Sequence, residues 1–266
     1  MSDLCFDVSG SGPVLLVIPG GAGHPMGLDR MTAYLARRFT VVTYDPLGLG
    51  HGRLGQPVTD QRVEEWSDGA RRVLDEVLPE GESAYVLGTS SGGIVALDLL
   101  ARHPERLRHV VAHEPPCVAA LPDGARQRER FQEVYDTYRA AGPQAAGARL
   151  AAVLEEREAG EDGTGGQPLS REAELSSPMA LFLAHVLVPF TSYVPHTAPP
   201  SAPLTLAAGA DPRGQLLHRT AAFLAERYGS GFAEFPGGHI GAVQHPEAFA
   251  DRLVEALGAG RTGVQG

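Results

Sequence analysis

One stretch limits this chain to a small set of folds. Ala84-Tyr85-Val86-Leu87 is a short apolar run, Gly88-Thr89-Ser90-Ser91-Gly92-Gly93 follows without a long side chain, and Ile94 to Ala101 carries the apolar content of a buried helix. A strand that passes directly into a helix needs a sharp turn, and glycines at 88 and 92 let two backbones approach closely there. The G-x-S-x-G spacing centres on Ser90, because a frame centred on Ser91 begins with Thr89 instead of glycine. In that context the central serine is thrust out at the top of a sheet, beside a helix N-terminus that favours developing negative charge. Ser90 is therefore the candidate nucleophile.

The rest of the chain repeats the same rhythm. Val14–Ile18 reads as a buried strand that ends at Pro19-Gly20-Gly21, and Leu28 to Arg38 has helical spacing. Strands at 41–44, 110–112, 204–208 and 232–235 alternate with helices at 59–78, 215–228 and 246–257. Short apolar runs separated by helical patterns indicate a parallel sheet with crossover helices. Between 117 and 200 the strand rhythm stops. Helices are expected at 131–139, 145–158 and 175–188, the last ended by Pro189, with a glycine-rich acidic loop at 160–168 and a proline-rich return at 195–203. Ligands of open parallel sheets bind outside the carboxyl ends of the strands, so an insertion following the strand that ends near Glu114 would roof the site.

Composition removes several alternatives. The 266 residues are 43% hydrophobic, enough for one buried core with a small inserted lobe. A formal net charge of -10 disfavours nucleic acid and anionic membranes as partners. All basic residues are arginine, which excludes a Schiff-base lysine or a P-loop lysine. Cys5 and Cys117 are far apart and outside any CxxC pattern, as expected of free thiols in a reducing cytoplasm. The opening residues lack the pattern of a secretory signal, and no window suits a membrane span. No His, Asp and Glu spacing suggests a metal site. No cofactor is expected, the partner is a small-molecule substrate, and the sequence does not specify an oligomeric state.

The order of these features resembles the α/β-hydrolase family over nearly the whole length. The elbow at 88–93, the Pro19-Gly20-Gly21 turn, Asp45-Pro46-Leu47-Gly48-Leu49-Gly50 and the late Gly237-Gly238-His239 occur in the family's order. The run from Gly88 to Glu105 followed by His113-Glu114-Pro115-Pro116 is similar to the small capped hydrolases of GC-rich bacteria. The resemblance implies an α/β-hydrolase fold, with a mostly parallel central sheet flanked by helices. Residues 1–116 and 201–266 would form the core and 117–200 a helical cap.

The resemblance also implies the partners of Ser90. Two backbone N–H donors would hold an oxyanion, one from Ser91 and one from Gly21, with Ala22 as the alternative. His239 would be the base. The orienting acid is expected at Asp211, after the penultimate strand; Glu114, where some relatives place it, is the alternative. Asp45 would brace the turn that follows it. His24 beside the oxyanion loop, and Tyr135, His185 and Tyr193 in the insertion, are candidate substrate contacts, alongside Phe131, Tyr138, Met179, Phe182 and Phe190. The implied activity is hydrolysis of a small to medium ester or lactone, or of a carbon–carbon bond beside a ketone, through an acyl-enzyme. The competing readings are a non-catalytic small-ligand-binding protein on the same fold and a cofactor-free haloperoxidase-like activity.

Overall fold

The computed structural model describes residues 4–25, 27–157, 166–196 and 202–258. Its centre is a seven-stranded sheet: β1 (Phe6–Gly10), β2 (Val14–Ile18), β3 (Thr40–Tyr44), β4 (Ala84–Thr89), β5 (Leu107–His113), β6 (Leu204–Gly209) and β7 (Gly231–Phe235). The spatial order is β1-β3-β2-β4-β5-β6-β7, with β1 antiparallel to β3 and the other pairs parallel. The strand rhythm of the sequence therefore corresponds to a doubly covered parallel sheet. β1 is the exception: FDVSG is largely exposed, and an edge strand carries no continuous apolar run to betray it.

Side-chain alternation along the strands divides the core in two. Leu16, Ile18, Val42 and Val86 face α2 (Val63–Val77), α3 (Ser91–Arg102) and α8 (Leu216–Tyr228). Leu15, Val17, Val41 and Leu87 face α1 (Asp29–Leu35) and α10 (Pro246–Ala256). Helix α3 is buried along most of its length, which its Gly92-Gly93 start and Ile94, Val95, Ala96 sequence permit. The helix expected from residue 59 begins only at Val63, after Arg62 in extended conformation.

Among the described residues no strand lies between β5 and β6. The helix α4 spans Gly124–Leu154 and is interrupted at Gly142, whose φ of +82° breaks the helical path just before Pro143. The two expected helices are thus the arms of one broken element, and the first arm starts earlier than its apolar spacing suggested. Farther on, α5 (Arg171–Leu175), α6 (Pro178–Leu181), a π-helical turn (Phe182–Val186) and α7 (Leu187–Thr191) replace the single helix expected at 175–188. Pro189 does not end this stretch. It sits in the first turn of α7, where a proline lacks no helical hydrogen bond. Most of the acidic loop at 160–168, and Pro199-Pro200 in the return, lie outside the described residues. The apolar faces of these helices close a separate cluster around Phe131, Val134, Leu183 and Leu187, which rests on Leu216 and Leu217 of α8. No described helix is long and apolar enough to cross a membrane.

Candidate active site

Ser90 occupies the turn between β4 and α3 with φ 52° and ψ -121°, a conformation that L-residues rarely adopt. Such a backbone costs about 1–3 kcal/mol and persists only where its surroundings enforce it. Here they do. Its N–H donates to the His113 carbonyl at 2.9 Å on the adjacent strand. A Cβ on Gly88 would stand 2.2 Å from the Gly92 carbonyl oxygen, and one on Gly92 would stand 2.0 Å from the Ile18 oxygen. The glycines read from the sequence are therefore contact points between backbones, and they carry the turn that exposes the serine.

The loop after β2 runs alongside the serine. A Cβ on Gly20 would lie 2.8 Å from Ser90 Cβ, and Gly21 takes a φ of +60° in the turn closed by Gly23 N–H on the Gly20 carbonyl. Gly21, Ala22, Ser90, Ser91 and His239 line one cavity of about 320 Å³. Ser91 opens α3, where the first N–H groups have no partner within the helix.

The structure places the two acidic candidates differently. Nδ1 of His239 lies 2.7 Å from Oε2 of Glu114, whereas Asp211, the preferred candidate, is exposed and its backbone N–H donates to the Gly237 carbonyl. The reason is local geometry at the ends of β5, β6 and β7. Glu114 steps just past β5, tied by its N–H to the Ala207 carbonyl at 2.8 Å. Its side chain crosses the end of β6, where Oε1 accepts the Gly209 N–H at 2.9 Å. Gly209 itself presses on the next loop: a Cβ there would stand 2.6 Å from the Gly237 oxygen and the Gly238 Cα. The loop that carries His239 is thus held over Gly209, and Asp211 lies two residues beyond, on the outside. Arg213, considered as a partner for Asp211, pairs with Glu234 instead.

Glu114 is 1% exposed and holds a φ of +47°, a second strained backbone in the site. Burial works against its ionisation. The hydrogen bond from His239, with that from the Gly209 N–H, outweighs it and holds the carboxyl below its usual range. An ionised carboxylate only accepts, so Nδ1 of His239 is the donor in this hydrogen bond. Beneath the site, His113 is buried against Phe235 and Phe249, and burial lowers its pKa to about 4. It therefore stands there as a neutral imidazole.

Of the candidate substrate contacts, His24 lines the Ser90 cavity. Tyr135 and His185 do not. They border a separate polar cleft of about 370 Å³, where His185 reaches Asp60 at 2.9 Å and Tyr138 donates to Glu174 at 2.7 Å. Tyr193 also lies elsewhere, its hydroxyl donating to the buried Asp98 at 2.7 Å. A polar group in a helical region finds such partners more readily than it stays open in an apolar cavity. Phe131, Met179, Phe182 and Phe190 do line the cavity. Sequence reasoning missed Leu150, Leu154, Leu217, Ile240 and Val243 on its wall. Ile240 and Val243 had a usable signal, since they directly follow His239; the leucines had none beyond helical periodicity.

Asp45 braces the turn after β3, accepting from Leu49 N–H at 3.1 Å, Gly50 N–H at 2.8 Å and pairing with His51 at 2.9 Å. Cys5 and Cys117 are free, and burial raises the Cys117 thiol far above its usual range. Among the described residues no group of three or more His, Cys, Asp or Glu side chains is placed to hold a metal ion.

Comparison with known proteins agrees with this architecture. The family model of the alpha/beta hydrolase fold matches residues 13–161. The uncharacterised hydrolase YraK of Bacillus subtilis is 30% identical, over 96% of this chain and 93% of its own. A zearalenone hydrolase of Cladophialophora bantiana is 29% identical, over 94% of this chain and 91% of its own. Among solved structures, a thermophilic esterase from Thermogutta terrifontis superposes with a TM-score of 0.68 at 19% identity, covering 97% of this chain and 94% of the esterase. A seven-stranded sheet with this strand order, together with a relative of that identity along nearly the whole length, places the chain in the α/β-hydrolase family, as one of its hydrolases.

Proposed function

We propose that this protein is a serine hydrolase of small to medium carboxylic esters or lactones, working through an acyl-enzyme on Ser90. In this reading Ser90 Oγ attacks the carbonyl carbon while Nε2 of His239 takes its proton. The N–H groups of Gly21 and Ser91 receive the negative charge that develops on the carbonyl oxygen. His239 then returns the proton to the departing alkoxide, and a water molecule repeats the sequence to release the acid. Glu114 holds the imidazole in one tautomer and stabilises its charged form. The observation that carries the reading is the 2.7 Å contact of His239 with Glu114, in a cavity that also receives the strained Ser90.

Residues 117–200 serve in this reading as a cap. Phe131, Leu150, Met179, Phe182 and Phe190 come from that segment and line the same cavity as Ser90. Movement of the cap, hinged near Pro115-Pro116 and near Pro199-Pro200, the latter pair outside the described residues, would admit substrate.

A fluorophosphonate probe tests the reading directly. Labelling at Ser90 in the native protein, absent in Ser90→Ala, together with turnover of 4-nitrophenyl acetate, is expected. A protein that only binds ligands would show neither, and that result would reject the serine mechanism.

A further inference from the structure

The wall of the Ser90 cavity is almost uniformly apolar. Its lining includes no Asp, Glu or Arg among the described residues; apart from Ser90 and His239, its polar side chains are His24 and the hydroxyls of Thr89, Ser91 and Thr191. Thr191 spends its hydroxyl on the Leu187 carbonyl at 2.7 Å. Beyond the reacting groups, the cavity therefore offers a bound molecule hydrocarbon and aromatic surface with very few polar contacts.

The mouth continues the same chemistry outward. Met179 is 55% exposed, Ile240 55% and Val243 42%, and all three also line the cavity. Met179 belongs to α6 in the insertion, and Ile240 and Val243 follow His239 in the core, so both parts of the chain contribute to the apolar rim. Large apolar side chains are commonly exposed singly; several on one cavity edge mark a binding surface. The cavity, about 320 Å³, is at the small end of ligand sites, so a drug-sized molecule fills it and continues over the rim.

We infer that the substrate is a neutral, largely hydrocarbon ester or lactone, whose body fills the Ser90 cavity and whose outer part lies on Met179, Ile240 and Val243. The site rejects esters that carry an ionised group close to the reacting carbonyl. The inference rests on the serine-hydrolase reading for its reactive end, but the binding preference stands on the wall alone. An ion moved into such a cavity loses its hydration and meets no Asp, Glu or Arg side chain among the described lining residues, a loss of several kcal/mol in proteins, which corresponds to at least about 100-fold in binding.

Two measurements test it. Calorimetric titration of Ser90→Ala protein compares N-(4-nitrophenyl)-4-methylpentanamide with N-(4-nitrophenyl)succinamic acid, stable anilides of nearly the same shape, the second with a carboxylate in place of the branched end. Binding of the neutral compound at least about 100-fold tighter is expected; equal binding would overturn the inference. Because this protein lacks the nucleophile, the result is independent of whether Ser90 reacts, whereas failed probe labelling of the native protein would reject the serine mechanism alone. In the second measurement, Met179→Ser and Val243→Ser, singly and combined with Ile240→Ser, are assayed with 4-nitrophenyl octanoate and acetate. The octanoate-to-acetate ratio of kcat/KM should fall roughly tenfold in the triple variant, mainly through KM, as apolar contact is removed from the rim. A ratio that does not move in any of the three variants would remove the rim from the binding site.

Discussion

Nδ1 of His239 meets Oε2 of Glu114 at 2.7 Å, across the end of β6 and 125 residues away in sequence. The same glutamate receives the Gly209 N–H, and its neighbour His113 receives the Ser90 N–H on its carbonyl. Two consecutive residues at the end of β5 thus hold both the serine turn and the histidine. This coupling gives the carboxylate at 114 more to do than neutralise charge, and it separates the two acidic candidates experimentally.

Glu114→Gln is expected to lower ester turnover on the order of 10³ to 10⁴, because the imidazole loses the partner that fixes its tautomer. Asp211→Asn should change kcat by no more than a few-fold, being exposed and without a contact to the ring. Steady-state kinetics of both variants on one ester decides it; a reversed order would return the role to Asp211.

The strained backbone at Ser90 predicts an unusual pair of stabilities. Ser90→Ala and Ser90→Gly should both lose turnover, yet the glycine variant should melt higher than the alanine variant. Only glycine adopts φ 52°, ψ -121° without steric cost, and relief of about 1–3 kcal/mol of strain exceeds the entropy glycine adds to the unfolded chain. Thermal melts of the two proteins check the order.

Gly92→Ala should be far more damaging to folding than its size suggests. Its Cβ would overlap the Ile18 carbonyl oxygen at 2.0 Å, and a strand backbone cannot yield as a flexible side chain can. A loss of about 3 kcal/mol or more is expected from forcing that contact apart. Urea unfolding measures it, and an unchanged midpoint would contradict the close approach of β2 and α3.

Acid stability should begin to fall well above the carboxylate range. His113 is held neutral, its pKa lowered from 6.5 to about 4 by burial. As pH drops below 6.5 the unfolded chain binds a proton that the folded one refuses, so stability declines from there towards pH 4. Glu114 adds its loss later: its folded pKa lies below 4.5, so its contribution is present above that value and disappears as pH falls through the folded one. Urea midpoints from pH 4 to 8 should slope downward on the acid side, and His113→Leu should flatten the part between 4 and 6.5. An identical slope in both proteins would mean that His113 is not buried as described.

The sequence by itself determined the sheet-and-helix alternation, the turn at Ser90, the placing of His239 after the last strand and the loss of strands after Glu114. These are local properties: apolar runs, the spacing of two glycines around a serine, and a Gly-Gly-His after a strand signal the same backbone wherever they occur. β1 escaped because an exposed edge strand needs only a neighbour's hydrogen bonds, which no pattern within five residues announces. Only the tertiary structure decided which carboxylate meets His239, since Glu114 and Asp211 both follow parallel strands at the carboxyl end of the sheet. The choice rests on the bare backbone of Gly209 lying against Gly237 and Gly238, and on the strained turn of Glu114 that sends its carboxylate across β6. Likewise, Tyr135, His185 and Tyr193 share their helical spacing with Phe131, Phe182 and Phe190, and only packing separates them. His185 and Tyr193 found polar partners elsewhere and Tyr135 borders the polar cleft, while the phenylalanines, with nothing to bond, were left to line the cavity.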